Sequence, residues 1–449
     1  MSLPGEPLDH EASPISHEPE RPTARSAIAD RPDMASGSEL PPSSPHDNIV
    51  LDTSDAAVPS VNGEVPPDEA TSMSDLVTQE ISPAPLQVVD VKDLDWQAVR
   101  NRANPSLMRS TIRPTVERME ALLDKADGPG MLFDNHRADH TDKVIKISDL
   151  EELEVPLWFI GDLHGDLLAL EAALAAIELD RAKCAEPRIV FLGDLFDDEG
   201  FGLEVLLRVF ELVVDAPDRI CVLAGNHDEA LSYDGVRFAS RVSPSDFAEF
   251  LNANLAHEWI ERTGKLAVRL FANAPRALFF PDGLLAAHGG FPLLDLHPQL
   301  AESGNWNDPP CLSDFVWTRA HPKARRKLPN RFTRGSQFGY GDFAAFCSLS
   351  ADLGRPVSRM VRGHDHVEDR YATFPAYRDH PLLTTVALSH RLSRESFGPY
   401  ERIPTIAQFV EGALPRVYRL HIPTDVIREV YPEPQPDSAL NELNEGPQS

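Results

Sequence analysis

The sequence predicts an α/β domain flanked by two segments that do not pack, and three observations carry that expectation. Between residues 155 and 224, short apolar runs alternate with helical stretches. Five apolar runs end in polar clusters rich in Gly, Asp and His. The first 95 residues hold no Phe, Trp or Tyr, yet carry 14 of the 40 prolines. Strand and helix in alternation imply a buried, mostly parallel sheet layered by helices.

Taken in order, residues 1–95 include GEPLDHEASPISHEPERP and ELPPSSPHD. Such a composition buries too little apolar surface to offset chain entropy, so disorder is expected. PSLMRSTIRPTVERMEALLDKADGPG (105–130) has helical apolar spacing and a Gly-Pro-Gly stop, placing a helical lead-in over 96–150. The main domain is expected over 151–431. Strands are predicted at 155–160, 188–192 and 219–224, with helices at 167–179 and 202–214 between them. ALFFPDGLLAAH (277–288) reads as a hairpin turning at Pro-Asp-Gly. Further strands are expected at 358–364, 381–389 and 416–423, which makes the second half strand-rich. Residues 432–449 return to a disorder-prone composition.

A net charge of −29 argues against general affinity for nucleic acid or anionic lipid. The local exception is RAHPKARRKLPNRFTR (319–334), with seven Arg or Lys and no acid. No apolar run is long enough to cross a bilayer, and the N-terminus lacks a signal-peptide pattern, so a cytoplasmic location is expected. Cys184, Cys221, Cys311 and Cys347 lack paired spacing, which fits reduced, mostly buried thiols.

The polar clusters are WFI-GDLHGD, VFL-GDLFDDEG, CVLA-GNHDE, LLAA-HGG and RMV-RGHDH. In open α/β sheets, sites form where loops diverge at the carboxyl ends of strands. One Gly-Asp turn means little, but five such clusters capping strands would bring hard oxygen and imidazole ligands together. That inventory suits divalent transition metals. The acids of GDLFDDEG (193–200) would then face cations rather than one another.

GDLHG (161–165), GDLFDDEG (193–200), GNHD (225–228), HGG (288–290) and RGH (362–364) resemble, in order, the signature blocks of the PPP protein phosphatases. Those belong to the calcineurin-like metallophosphoesterases. The resemblance implies an αββα sandwich and hydrolysis of a phosphomonoester, with a phosphorylated protein or a small phosphoester as substrate. It implies two divalent metal ions, with Mn²⁺ expected and Fe or Zn as alternatives. The first would be held by Asp162, His164 and Asp194. The second would be held by Asp194, Asn226, His288 and His364. His227 corresponds to the catalytic histidine, Asp197 to the carboxylate that orients it, and Arg334 in TRGSQFG (333–339) to a phosphate-gripping arginine. Paired cations acidify a shared water and withdraw charge from phosphoryl oxygens, and a nearby histidine protonates the leaving group.

Two departures stand out. The PPP block GDxxDRG carries arginine where this chain has Asp198, followed by Glu199. Either these acids turn outward into solvent, or another base such as Arg319 takes the arginine's place. At TTVALSHR (384–391) the family's SAPNY-type loop is not recognisable. Dinucleoside-polyphosphate hydrolysis and a metal-binding pseudophosphatase scaffold, recruiting protein partners through the N-terminal arm, stay open as alternatives. His366 and His390 read as surface histidines, and Arg362 reads equally as a packing residue or a substrate contact. No GxxxxGK[ST] is present, which argues against a P-loop enzyme, and Cys347 lacks the spacing of a cysteine phosphatase.

Overall fold

Two six-stranded sheets stack face to face. The computed structural model describes residues 85–125, 130–148, 155–181, 186–198, 200–324, 335–393, 395 and 399–432. The first sheet runs Val88–Val91, Arg416–Leu420, Thr405–Gln408, Leu157–Ile160, Arg188–Phe191, Ile220–Val222. Its last three strands are mutually parallel, as the strand–helix alternation requires. The second sheet runs Tyr371–Ala372, Leu382–Thr385, Arg359–Arg362, Leu284–Ala287, Ala277–Phe279, Val144–Lys146. Ala277–Phe279 and Leu284–Ala287 form the expected hairpin.

Period-two alternation decides which layer each side chain joins. Leu157 and Phe159 point between the sheets, with Val190, Leu192, Leu278, Phe280, Val361 and Leu383. Trp158 and Ile160 point the other way, into a core shared with the helices Leu167–Arg181 and Gly202–Asp215. A third core packs the helices Pro309–Trp317 and Tyr340–Asp352 on the outer face of the second sheet, around Phe279, Phe291, Phe315, Phe343 and Phe346. Four layers, helix–sheet–sheet–helix, follow. Phe159 packs edge-on against Phe280 with ring centres 6.1 Å apart. Truncating it to alanine removes contacts worth about 3–5 kcal/mol.

The structure departs from the sequence reading in three places. Val88–Val91, inside the segment assigned to the arm, is an edge strand parallel to Arg416–Leu420; its β-branched residues favour a strand, a local signal that composition averaged over 95 residues hides. Residues 1–84 of the arm and 433–449 of the tail lie outside the described residues. The lead-in helix breaks at Thr111 into Pro105–Ser110 and Ile112–Lys125, and Met108, Val116, Met119 and Leu123 join the helical core. The second half holds long helices as well as strands, among them Glu258–Asn273.

Cys221, Cys311 and Cys347 are buried and unpaired, and burial pushes the Cys311 and Cys347 thiols up to about 12. Cys184 lies outside the described residues. Among the described residues, no helix is long and apolar enough to cross a membrane.

Candidate metal centre

The five polar clusters leave the carboxyl ends of Leu157–Ile160, Arg188–Phe191, Ile220–Val222, Leu284–Ala287 and Arg359–Arg362, which the two sheets bring to one edge. There the backbone is strained. Seven described non-glycine residues have positive φ, and five are His164 (40°), Asp194 (54°), Asp197 (73°), Asp198 (66°) and His364 (66°). Such residues cost about 1–3 kcal/mol each and persist where surrounding structure holds them for function. Two glycines allow the loops to close together. A Cβ on Gly225 would lie 2.2 Å from Asp194 Oδ1, and one on Gly363 would lie 2.1 Å from Asp162 Oδ1.

Around His288 Nε2, three further donor atoms converge: Asn226 Oδ1 at 3.1 Å, His364 Nδ1 at 3.1 Å and Asp194 Oδ2 at 3.2 Å. Ligands about 2.0–2.2 Å from a shared cation sit about 3 Å apart, so this spacing suits a metal. His288 Nδ1 lies 3.1 Å from the Leu192 carbonyl, which fixes the proton on that nitrogen and turns Nε2 toward the cluster as a lone pair. His364 Nε2 is buried without a hydrogen-bond partner. Burial, with Arg319 and His288 nearby, holds the His364 ring well below the ordinary histidine value, in the neutral form that ligates. Burial opposes ionisation of Asp194, yet His288 and His227 hold its carboxyl well below the usual range.

A second group adjoins the first. His164 Nε2 lies 3.6 Å from Asp194 Oδ2, so Asp194 stands between the two groups. Asp162, His164 and His366 place one donor atom each within 4.8 Å of one another. His366, expected at the surface, is instead largely buried, with Nε2 3.1 Å from Asp162 Oδ2 and Nδ1 3.6 Å from Glu395 Oε1. Its signal is the second histidine of GHDH, two residues past His364, which a loop turning at positive φ swings back toward Asp162. The donor set and its spacing fit divalent-cation binding, with one group of donors on Asp162, His164 and His366 and another on Asp194, His288 and His364.

His227 sits beside both groups. Its amide donates to Asp194 Oδ1 at 2.9 Å, and its Nδ1 lies 2.8 Å from Asp197 Oδ2. Asp228, which sequence reasoning passes over, is fully buried and accepts the amides of Asp194, Leu195 and Gly225 at 2.7, 3.1 and 2.8 Å. It stitches two ligand loops together, and burial beside Asp194 raises its carboxyl to about 7.

Residues 155–368 match the family model of the calcineurin-like phosphoesterases. The chain carries a calcineurin-like metallophosphoesterase domain. The chain is 36% identical over 241 residues to a Caenorhabditis elegans protein named as a serine/threonine-protein phosphatase, covering 50% of this chain and 57% of that one. It is 22% identical over 247 residues to a protein phosphatase 2A catalytic subunit from Dictyostelium discoideum, covering 52% and 70%. The chain thus spans little more than half of the first of these relatives. A solved Saccharomyces cerevisiae protein serine/threonine phosphatase superposes with a TM-score of 0.45 at 16% identity, over 73% of this chain and 90% of that one.

At the rim of the phosphoesterase domain's site, the structure removes one of the two readings of the first departure and revises the second. Asp198 does not face solvent: it is 8% exposed, with Oδ2 3.2 Å from His164 Nδ1. Arg319 turns inward, its Nη1 donating to the His364 carbonyl at 2.8 Å and to Asp365 Oδ1 at 3.0 Å. Arg362 is a packing residue, fully buried and bound to Asp365, Gly289 O, Thr384 Oγ1 and Thr318 O. Arg334 and Glu199 lie outside the described residues. In the altered loop His390 is buried rather than exposed, with Nδ1 3.1 Å from Asp166 Oδ2 and its ring stacked on Tyr431 at 4.1 Å.

Proposed function

We propose that this chain is a metal-dependent phosphomonoester hydrolase acting on phosphorylated protein, in the manner of the PPP phosphatases. The observation that carries the reading is the placement of Asp194 between two donor clusters, with the His227–Asp197 pair beside it. Asp162, His164, Asp194 and His366 would hold one divalent cation, and Asp194, Asn226, His288 and His364 the other. When bound, such a pair supplies Lewis acidity to the phosphoryl oxygens and acidifies water near neutral pH. His227 is placed to give a proton to the leaving oxygen. Asp197 holds its Nδ1 proton and so fixes the ring's orientation. Arg334 would grip phosphate oxygens in a two-pronged fashion.

A second reading, hydrolysis of a small phosphoester, gains from one observation. The segment that stands where the PPP family has its substrate loop is tied into the core through His390 and Asp166, and so is not free to shape a broad groove.

The test is purified protein stripped with chelator, reloaded with Mn²⁺ and offered an aryl phosphate, phosphopeptides and dinucleoside polyphosphates. Activity that returns only with metal and is greatest on phosphopeptides supports the proposal. Preference for the small esters selects the second reading. Undiminished activity after complete chelation overturns the metal-dependent one.

A further inference from the structure

Asp197 and Asp198 are adjacent acids, and both sit in the left-handed region. Two consecutive residues of that kind send neighbouring side chains to different targets. Asp197 is hydrogen-bonded to His227 Nδ1 at 2.8 Å, whereas Asp198 Oδ2 makes an ion-pair contact with His164 Nδ1 at 3.2 Å that is not in hydrogen-bond geometry. The Asp198 amide donates to Asp246 Oδ1 at 2.9 Å, which anchors the turn. His164 is itself fully buried, and its opposite nitrogen, Nε2, faces Asp194.

We propose that Asp198 is a positioning carboxylate for His164: its charge beside Nδ1 favours the proton on that nitrogen and so presents the Nε2 lone pair to the cation among Asp162, His164, Asp194 and His366. The inference rests on the metal-binding reading of this site. Outer carboxylates of this kind fix a ligand histidine's tautomer and ring angle and raise its basicity. An arginine at 198 could not serve, since its N–H donors would meet the Nδ1–H donor head on. The acid that looks misplaced beside an anionic substrate therefore spends its charge on the metal side of the centre. Asp197 and Asp198 divide the work, one orienting the proton donor and the other a ligand.

The experiment is Mn²⁺ binding by the full chain, stripped of metal and followed by equilibrium dialysis with elemental analysis, together with thermal melting of the metal-free protein. Asp198→Asn keeps an acceptor but loses the charge. It is expected to weaken one of two Mn²⁺ ions about 10–100-fold, leave the other unchanged, and melt like the parent. His164→Asn should lose the same ion, and Asp198→Glu should recover part of the affinity. Wild-type affinity for both ions in a folded Asp198→Asn protein overturns the inference. Failure of the unmutated chain to bind any Mn²⁺ overturns the metal reading and this inference with it, which separates the two failures. A long-range ¹⁵N–¹H spectrum of the unmutated chain, with His164 assigned by its loss in His164→Asn, supplies a check that needs no folded Asp198 variant. It should show the Nδ1-protonated ring, and an Nε2-protonated ring would refute the role.

Discussion

His227 Nδ1 lies 2.8 Å from Asp197 Oδ2, and the other Asp197 oxygen accepts the Phe247 amide at 3.0 Å. The carboxylate is thus held on both sides and fixes the imidazole in one orientation. Burial raises the Asp197 carboxyl, against the lowering effect of the His227 hydrogen bond. Asp197→Asn should therefore lower kcat about 10–100-fold while leaving the metal content unchanged, since Asp197 belongs to neither donor cluster. The loss should grow as the leaving group becomes more basic, because an acid matters most where the departing oxygen needs its proton. Equal losses for nitrophenyl and alkyl phosphates would show that Asp197 acts on something other than the proton donor.

His366 offers a separate test of how far the donor set extends. Its Nε2 stands 3.1 Å from Asp162 Oδ2, and its ring meets that of His164 edge-on at 4.9 Å. His366→Asn is expected to lower the affinity for one Mn²⁺ about 10–100-fold, read by elemental analysis after dialysis. Unaltered binding of two ions would return His366 to a packing role.

The site was more legible in sequence than the fold around it, for physical reasons. A parallel strand followed by Gly-Asp announces itself, because the apolar run and the turn chemistry are local. Asp162, Asp194, Asn226, His288 and His364 could be placed at strand ends on that ground alone. What local pattern does not encode is where a side chain turns after a left-handed residue. The direction of Asp198 depends on φ values of 73° and 66° at two successive non-glycine positions, and that of His366 on the bend at His364. Asp228 was invisible for another reason: a carboxylate that accepts three backbone amides looks in sequence like any helix-start acid. Val88–Val91 joins the sheet only through a strand more than 300 residues away, a pairing that no sequence window contains.

Arg362 illustrates a cost of assembling the site from two sheets. Its guanidinium is fully buried and bonded to Asp365, Thr384 Oγ1 and the carbonyls of Gly289 and Thr318, so it ties the loop after Arg359–Arg362 to the loop after Leu284–Ala287. Arg362→Met strands those acceptors, although Asp365 keeps Arg319. Equilibrium urea unfolding should show a loss of about 3 kcal/mol. Arg362→Lys should not restore it, since a point-like ammonium cannot reach four acceptors spread around a planar fork. A loss below about 1 kcal/mol would mean that the network is replaceable by apolar packing.

Glu395 gives the pH dependence a definite sign. Burial works against its ionisation, but His366 and Arg370 hydrogen bonds outweigh it and hold the carboxyl at about 2. Arg370 Nη1 lies 2.7 Å from Glu395 Oε1, and Arg402 Nε lies 3.7 Å from Oε2. A group whose folded value lies below its unfolded one binds protons more readily when unfolded. Its stabilisation is therefore complete above the unfolded carboxyl value near 4.3 and is lost as pH falls toward 2. Glu395→Gln should be less stable than the parent by about 1–3 kcal/mol at pH 6–7. The gap should narrow below about pH 4.5 and close near pH 2, followed in metal-free protein by urea midpoints at each pH. A gap that stays constant down to pH 3 would show that the glutamate's shape, rather than its charge, holds Arg370 in place.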